Sequence, residues 1–146
     1  MFIKILAATA LFQVCVSSAL ADVGQIDEAA TVKAIGSPVL KQSQEEESPG
    51  CTASRYTFGD KTFSMKIEFR CTRVNVGWTI ATEPEYEEKS KQASALAQRA
   101  VAVLTGENGV EVERVQAGGK YDGRTLSNGL SVSGSCVMNS CLLTFR

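Results

Sequence analysis

Five cysteines constrain the fold of this 146-residue chain more than any other feature, and the first 21 residues decide what those cysteines do. Lys4 precedes an apolar run from Ile5 to Val16, and the small residues of Ala19-Leu20-Ala21 form the pattern that signal peptidase cleaves. The apolar run is too short to span a bilayer. The pattern therefore predicts that residues 1–21 are a signal peptide, and that the mature chain begins at Asp22 in an oxidising compartment.

Removing the signal removes Cys15 and leaves four cysteines, an even number that predicts two disulfides. In an alternative, Cys15 becomes the lipid-anchored first residue of a lipoprotein. That alternative is disfavoured because the preceding Phe12-Gln13-Val14 is too bulky for a lipid-attachment site. The signal does not separate the extracellular space from the periplasm, so we expect a secreted chain with the periplasm as the alternative location.

The preferred disulfide pairing is local and joins Cys51 to Cys71 and Cys136 to Cys141. The second bridge fixes a register in which the large apolar residues of the last two strands share one face. That register sets Gly134 opposite Leu143 and Val132 opposite Phe145. Four cysteines allow three pairings, so an alternative in which each early cysteine bonds a late one stays open.

The composition of the mature chain changes at residue 50. Residues 22–50 contain no aromatic residue and end in the acidic, turn-prone stretch Gln44–Gly50, which is typical of a segment that cannot offset its ordering entropy by burial. We expect a flexible acidic N-terminal leader that is dispensable for folding. Its removal as a pro-segment and an added edge strand at Thr31–Ile35 both stay open. Residues 51–146 are expected to form a single disulfide-stapled domain.

Alternating apolar residues predict a hairpin at the start of this domain. Residues 63–71 are apolar at every odd position and polar at every even position, which indicates a strand with one buried face. Ser54–Phe58 is expected to pair with this strand, with Phe58 opposite Lys61 or Phe63. Apolar positions then change from odd to even, which predicts a bulge or a tight turn near Arg73.

One helix is predicted from Glu83 to Leu104. Thr82 and Glu85 have the spacing of a capping box, and Gly106 is placed to end the helix in a left-handed conformation. The apolar side of the helix carries mostly small residues, which favours close packing against a sheet.

Together these elements predict an α+β fold, in which an antiparallel β-sheet packs against one α-helix and two disulfides staple the domain. The element order is a β-hairpin or meander, the helix and a second β-meander. The segments expected in the second meander are Val110–Gln116, Tyr121–Ser127, Leu130–Cys136 and Leu142–Arg146.

Composition excludes several chemistries. The chain has no histidine, which removes the usual base of hydrolytic triads and the commonest zinc ligand. With the cysteines oxidised, no thiolate nucleophile remains. Fifteen basic and 16 acidic residues give no electrostatic footprint for nucleic acid or an anionic membrane. We expect no metal, no cofactor, no nucleic-acid partner and no stable membrane anchor.

Carboxylates are the catalytic groups that remain, since a glycosidase needs only an acid and a nucleophile or base. The candidates are Asp60, Glu68, Glu111, Glu113 and Asp122. Most of them alternate with apolar residues or follow a turn glycine, which favours a structural role on a solvated strand or turn.

The predicted binding residues are the only tryptophan, Trp78, and a group in a loop that could grip a polar ligand, Tyr121, Asp122 and Arg124. Tryptophan, tyrosine and arginine dominate binding hot spots. An ordinary Asp-Gly turn at residues 122–123 is the structural alternative for the loop.

In outline the chain resembles the broad class of small secreted effectors and toxin-like proteins, with its export signal, small size and paired cysteines. The resemblance implies a non-catalytic binding protein that acts on a protein or glycan target of a host or competitor, with a role in virulence. An enzyme inhibitor that presents Gly118–Arg124 is one alternative. A carboxylate-based carbohydrate hydrolase is the other.

Overall fold

The computed structural model describes residues 22–146, so the predicted signal peptide and Cys15 lie outside the described residues. Three helices are present: α1 (Glu28–Ile35), α2 (Glu87–Thr105) and α3 (Val110–Gln116). The seven strands are β1 (Val39–Ser48), β2 (Cys51–Gly59), β3 (Ser64–Phe69), β4 (Val74–Thr79), β5 (Tyr121–Thr125), β6 (Ser131–Val137) and β7 (Ser140–Phe145). Short 3₁₀ turns occupy Val23–Gln25 and Pro84–Tyr86.

All seven strands form one antiparallel sheet in the order β1-β2-β3-β4-β7-β6-β5. The first four strands are a meander, the last three are a second meander, and β7 pairs with β4 to join them. The α+β class and the antiparallel sheet are confirmed. The expectation of a single helix is wrong, because α1 and α3 accompany α2.

The core lies between the helices and one face of the sheet. Helix α2 packs on β2, β3 and β4, and α3 packs on β6 and β7. Ala93, Ala97 and Ala100 are fully buried, so α2 lies close to the strands as its small residues predict. Burial of each large core side chain contributes about 1.5–3 kcal/mol. The largest fully buried side chains include Phe58, Met65, Ile67, Leu143 and Phe145.

The first predicted hairpin forms with a different register. Phe58 lies opposite Met65 and not opposite Lys61 or Phe63, and Tyr56 lies opposite Ile67. The connection is wider because the Asp60 carboxylate accepts the backbone N–H groups of Thr62 at 2.8 Å and of Phe63 at 3.3 Å. Apolar positions change from odd to even at a tight turn between β3 and β4, as predicted. In this turn the Arg70 N–H donates to the Arg73 carbonyl at 2.9 Å.

The capping box at the start of the long helix does not form. A 3₁₀ turn precedes α2, and the Thr82 N–H donates to the Glu83 carboxylate at 3.2 Å. Proline at the first position of the 3₁₀ turn begins the helical segment without needing that box. Gly106 ends α2 at φ 71°, as predicted.

Residues 110–116 form α3 and not the expected strand. Val112 and Val115 are fully buried and lie three positions apart, which is a helical spacing. Gly109, at φ 73°, begins the helix directly against α2, since a Cβ at this position would lie 2.5 Å from the Gln98 carbonyl oxygen. The alternation of valine and glutamate over residues 110–113 fits both a strand and a helix. Packing against α2 decides in favour of the helix.

Residues 28–48 are structured, in contrast to the flexible leader expected from composition. The Asp27 side chain caps α1 by accepting the Ala30 N–H at 2.9 Å, so Thr31–Ile35 is helical and is not an edge strand. Ile35 is fully buried. Strand β1 pairs with β2 from Val39 to Ser48 and forms the edge of the sheet.

A side-chain contact ties α1 to the sheet. The Tyr56 hydroxyl in β2 donates to the Glu28 carboxylate at 2.6 Å and accepts from Gln42 in β1 at 3.1 Å. Burial, together with the hydrogen bond and charge of Glu28, raises the pKa of Tyr56 to about 12. The tyrosine therefore stays protonated and bonded to α1 throughout the neutral range.

The two predicted disulfide pairings are confirmed. Cys51, at the start of β2, is bonded to Cys71 in the turn between β3 and β4. Cys136 and Cys141 face each other across β6 and β7, with Gly134 opposite Leu143 as expected. Within residues 22–146, no helix is long and apolar enough to cross a membrane.

Candidate functional site

The sheet has an open face on the side away from the helices. Along β3, β4 and β7, buried residues alternate with exposed or half-exposed ones, and the buried set faces α2 and α3. The other set points to solvent. Lys66, Ser140 and Leu142 of this set are exposed, so the face offers a surface on which a ligand could bind.

The open face has a charged half and an uncharged half. Strands β1, β2 and β3 carry lysine, arginine and glutamate at outward positions. Strand β4 and the whole stretch from Thr125 to Phe145 contain no charged residue. The outward positions of β6 and β7 are instead mostly serine and threonine. The charged half therefore favours ionic contacts, and the uncharged half favours hydrogen bonds to hydroxyl groups and apolar contacts.

A recess of about 390 Å³ lies in the charged half. We call it the basic recess and define it by its four cations, Lys41, Arg55, Lys61 and Lys66. Register builds it, because Lys41 lies opposite Thr57 on β2 and Thr57 lies opposite Lys66 on β3. Leu40, Ser43, Thr57 and Ser64 complete the lining.

Beside the basic recess, arginine and glutamate side chains form a chain of ion pairs. Glu68 contacts Arg55 at 3.3 Å and Arg70 at 3.0 Å. Glu47, at the end of β1, contacts Arg70 at 3.1 Å and Arg73 at 3.6 Å. The hydrogen bond from Arg70 lowers the pKa of Glu47 and also raises the pKa of Arg70. Glu47 is therefore ionised at neutral pH and is not suited to act as a general acid.

We expect Glu47→Gln to destabilise the fold in a pH-dependent way. Because the pKa of Glu47 is lower in the folded state, its contribution is present above the ordinary glutamate pKa of about 4.3 and is lost as the pH falls through the folded value. Urea unfolding at pH 7 and at successively lower pH measures this. The difference from the parent chain should shrink with acid, and Glu46→Gln is the neighbouring control. A difference that does not vary with pH would contradict the assignment.

The turn between β6 and β7 forms a protruding apolar tip, defined by Val137 and Met138. Met138 is 91% exposed and Val137 is 68% exposed, and Leu142 beside them is 47% exposed. Met138 has φ 53°, the one positive φ at a non-glycine residue in the described part of the chain. The Cys136–Cys141 bridge closes the base of the tip, and the Ile80 N–H donates to the Asn139 carbonyl at 2.9 Å.

The four predicted binding residues do not come together. Trp78 lies in β4, is 3% exposed, faces the helices, and has no partner for its indole N–H among the described residues. Tyr121 is at the start of β5, an edge strand of the sheet. Strand β5 lies three strands away from β4, which is a distance of about 14 Å across the sheet. Asp122 and Arg124 are exposed beside it. Tyr121, Asp122 and Arg124 thus share one edge, and Trp78 belongs to the core.

Cationic side chains cover Tyr121. The guanidinium carbon of Arg114, from α3, lies 5.1 Å from the ring centroid, and that of Arg124 lies 6.0 Å from it. Such contacts contribute about 0.5–1 kcal/mol at exposed sites. Tyr121 is 7% exposed, so this edge offers a partner mainly the two arginines and Asp122.

The candidate catalytic carboxylates lie in separate places. Asp60 is in the β2–β3 turn, Glu68 is on the open face, and Glu111 and Glu113 are on α3 behind the sheet. Backbone hydrogen bonds from Thr62 and Phe63, with the nearby Lys89, lower the pKa of Asp60. The arrangement therefore gives no support to an acid and base flanking one substrate bond.

A metal centre has equally little support among residues 22–146. The Glu47 carboxylate and the sulfur atoms of Cys51 and Cys71 lie within 4.8 Å of one another. The two sulfur atoms are joined in the disulfide, so they offer no thiolate ligands.

The basic recess and the apolar tip were not predicted from the sequence. Lys41 and Lys66 are 25 positions apart in a chain whose overall charge is nearly balanced, so only the strand register brings them together. A signal for the tip was present, because Val137 and Met138 stand between two cysteines in an uncharged stretch.

Comparison of the chain with protein-family models, with curated proteins and with solved structures gave no match in any of the three.

Proposed function

We propose that this chain is a non-catalytic binding protein that acts outside the cytoplasm on a protein of a host or competitor, in the manner of a small secreted effector or toxin-like protein. The binding surface is the open face of the sheet, and the apolar tip is its central contact. Two disulfides, which are typical of exported domains, support the location.

The observation that carries this proposal is the conformation of Met138. A left-handed backbone costs a residue with a side chain about 1–2 kcal/mol, and glycine would avoid that cost. The fold holds a methionine there, almost fully exposed, on a turn stapled by a disulfide. A strained and exposed apolar residue on a rigid support is typical of a contact made for a partner. Methionine also adapts its shape to apolar pockets.

An enzyme inhibitor is the second candidate. The Cys136–Cys141 disulfide at the base of the apolar tip favours it, because it holds the tip rigid. Rigid presentation reduces the entropy lost on binding, which is the advantage of a stapled loop that enters an active site. The segment that fits this role is Val137–Ser140, which replaces the Gly118–Arg124 loop expected from the sequence. In that loop Tyr121 is buried and Gly119 packs against Arg114, so less of it is free to enter a partner.

We expect Met138→Gly to weaken partner binding by more than 1 kcal/mol, about fivefold, without lowering the melting temperature. Glycine relieves the left-handed strain, and this gain offsets its greater freedom in the unfolded chain. The measurement is capture of proteins from the surfaces of candidate target cells by the immobilised mature chain, followed by affinity measurement on the captured protein.

Val103→Ala is the matched control, since Val103 is an exposed apolar residue on α2 behind the sheet. Its variant should bind as the parent does. The proposal fails if Met138→Gly binds as well as the parent chain while Val103→Ala, or another change on the α2 surface, abolishes binding. Catalytic turnover that an amide at Glu68 or Asp122 abolishes in a folded protein would support the hydrolase alternative instead.

A further inference from the structure

The basic recess continues into a second recess, in which Lys66 is the one charged lining residue. The second recess has a volume of about 180 Å³ and lies over Gly77, Thr79 and Ser140. Ser64 and Lys66 line both spaces, so the two are contiguous along the open face. Their combined size falls in the range of small-molecule sites.

The basic recess has an unbalanced positive charge. No carboxylate lines it, and Lys41, Lys61 and Lys66 form no ion pair within residues 22–146. Arg55 is the one lining cation with a carboxylate partner, Glu68. Cations held near one another without counter-charges favour an anion between them. Three ammonium groups and a guanidinium suit a phosphate or sulfate group, whose oxygens accept several hydrogen bonds at once.

The second recess has different chemistry. Ser64, Thr79 and Ser140 contribute hydroxyl groups to its lining, and Trp78 and Cys141, whose side chains are buried, complete the lining beside Lys66 and Gly77. Gly77 lies between Lys66 on β3 and Leu142 on β7 in the sheet register, and its lack of a side chain leaves space in the second recess beside Lys66. A neutral, hydroxyl-bearing group matches this lining.

From these two linings we infer that the open face binds a sulfated or phosphorylated saccharide, with its oxyanion in the basic recess and its neutral sugar over Gly77. The inference shares the open face with the proposed function but uses residues other than Val137 and Met138, so loss of saccharide binding and loss of protein binding at the apolar tip are measured with separate variants. An oxyanion group alone fills only the first space, and the whole saccharide is needed to occupy both.

Calorimetric titration at low ionic strength tests this, because salt screens exposed charges. The probes are a monosulfated disaccharide, the monophosphorylated form of the same disaccharide, its unmodified form, inorganic sulfate and inorganic phosphate. We expect at least one modified disaccharide to bind at least tenfold more tightly than its free anion and than the unmodified disaccharide. The sulfated and phosphorylated probes then identify which oxyanion is preferred.

Variants separate the two recesses. Lys66→Gln should lower the affinity for the disaccharide and for the free anion at least fivefold. Gly77→Val should lower only the affinity for the disaccharide, because a Cβ at residue 77 meets nothing closer than 3.6 Å and the added methyl groups enter the second recess. Lys33→Gln, which removes a cation from α1 behind the sheet, should change neither affinity. Each variant is first checked for an unchanged melting temperature.

The inference is overturned if none of the modified disaccharides binds, or if Lys66→Gln binds them as well as the parent. Equal loss of affinity for the free anion and the disaccharide in Gly77→Val would also overturn the two-part site. Tighter binding of a sulfated or phosphorylated peptide than of either disaccharide would assign the recess to a protein ligand and refute the saccharide.

Discussion

A chain that begins at Pro49 is expected to lose cooperative folding or to melt far below the full mature chain. This truncation removes α1 and β1, and with them the fully buried Ile35 and the whole partner of β2. It also removes Glu28, which accepts the hydrogen bond of Tyr56. Since a domain of this size has a stability of about 5–15 kcal/mol, the loss takes most of it.

A single substitution tests the same point without the truncation. Ile35→Ala should lower the free energy of unfolding by about 2–5 kcal/mol, the usual cost of emptying a fully buried isoleucine site. Lys33→Ala, on the exposed side of the same helix, should change it by less than about 0.5 kcal/mol. Urea unfolding followed by circular dichroism measures both. Equal and small effects of the two substitutions would mean that α1 does not dock on α2 in solution.

Loss of the Cys51–Cys71 disulfide should be the next largest effect. In the chain-entropy model, a loop closed over a sequence separation of 20 stabilises the fold by about 3 kcal/mol, and the separation of 5 at Cys136–Cys141 gives about 2 kcal/mol. The double variant Cys51→Ser, Cys71→Ser therefore destabilises the fold more than Cys136→Ser, Cys141→Ser. Unfolding of the two double variants under identical conditions makes the comparison. The reverse order would contradict the model, and peptide mapping without reduction checks the pairing itself.

The parts of the fold that the sequence predicted are those in which burial follows a period. Strand β3 alternates strictly because one face lies under α2, and α2 repeats small apolar residues along its buried side. The Cys136–Cys141 disulfide was predicted from register in the same way, and Cys51–Cys71 was then the remaining pair. Each of these elements has one buried and one exposed side, so its sequence shows a periodic pattern of apolar and polar residues.

The elements that were not predicted lack such a periodic pattern. Strand β1 is an edge strand whose side chains are all exposed, so its acidic composition is indistinguishable from that of a flexible segment, and charged residues on an edge are expected. Helix α3 is too short for its period to exceed the chance alternation of valine and glutamate. In both cases, pairing with a neighbouring element supplies the stability that local sequence does not show.

The candidate site was predicted even less completely than the fold. Trp78 was chosen for its residue type, but its position on β4 faces the helices and makes it part of the core. The basic recess depends on side chains from three strands and from the β2–β3 turn, which only the sheet register assembles. Exposure and backbone strain at Met138 are likewise properties of the folded turn.

The most direct measurement is hydrogen–deuterium exchange of the mature chain, alone and in complex with its captured partner. Contact through the open face predicts slower exchange on binding at Val137–Leu142 and along the neighbouring strand β4, with little change in the exposed part of α2. Slower exchange confined to α2, to α3 or to the edge formed by Tyr121–Thr125, with none at the tip, would contradict the assignment of the open face as the binding surface.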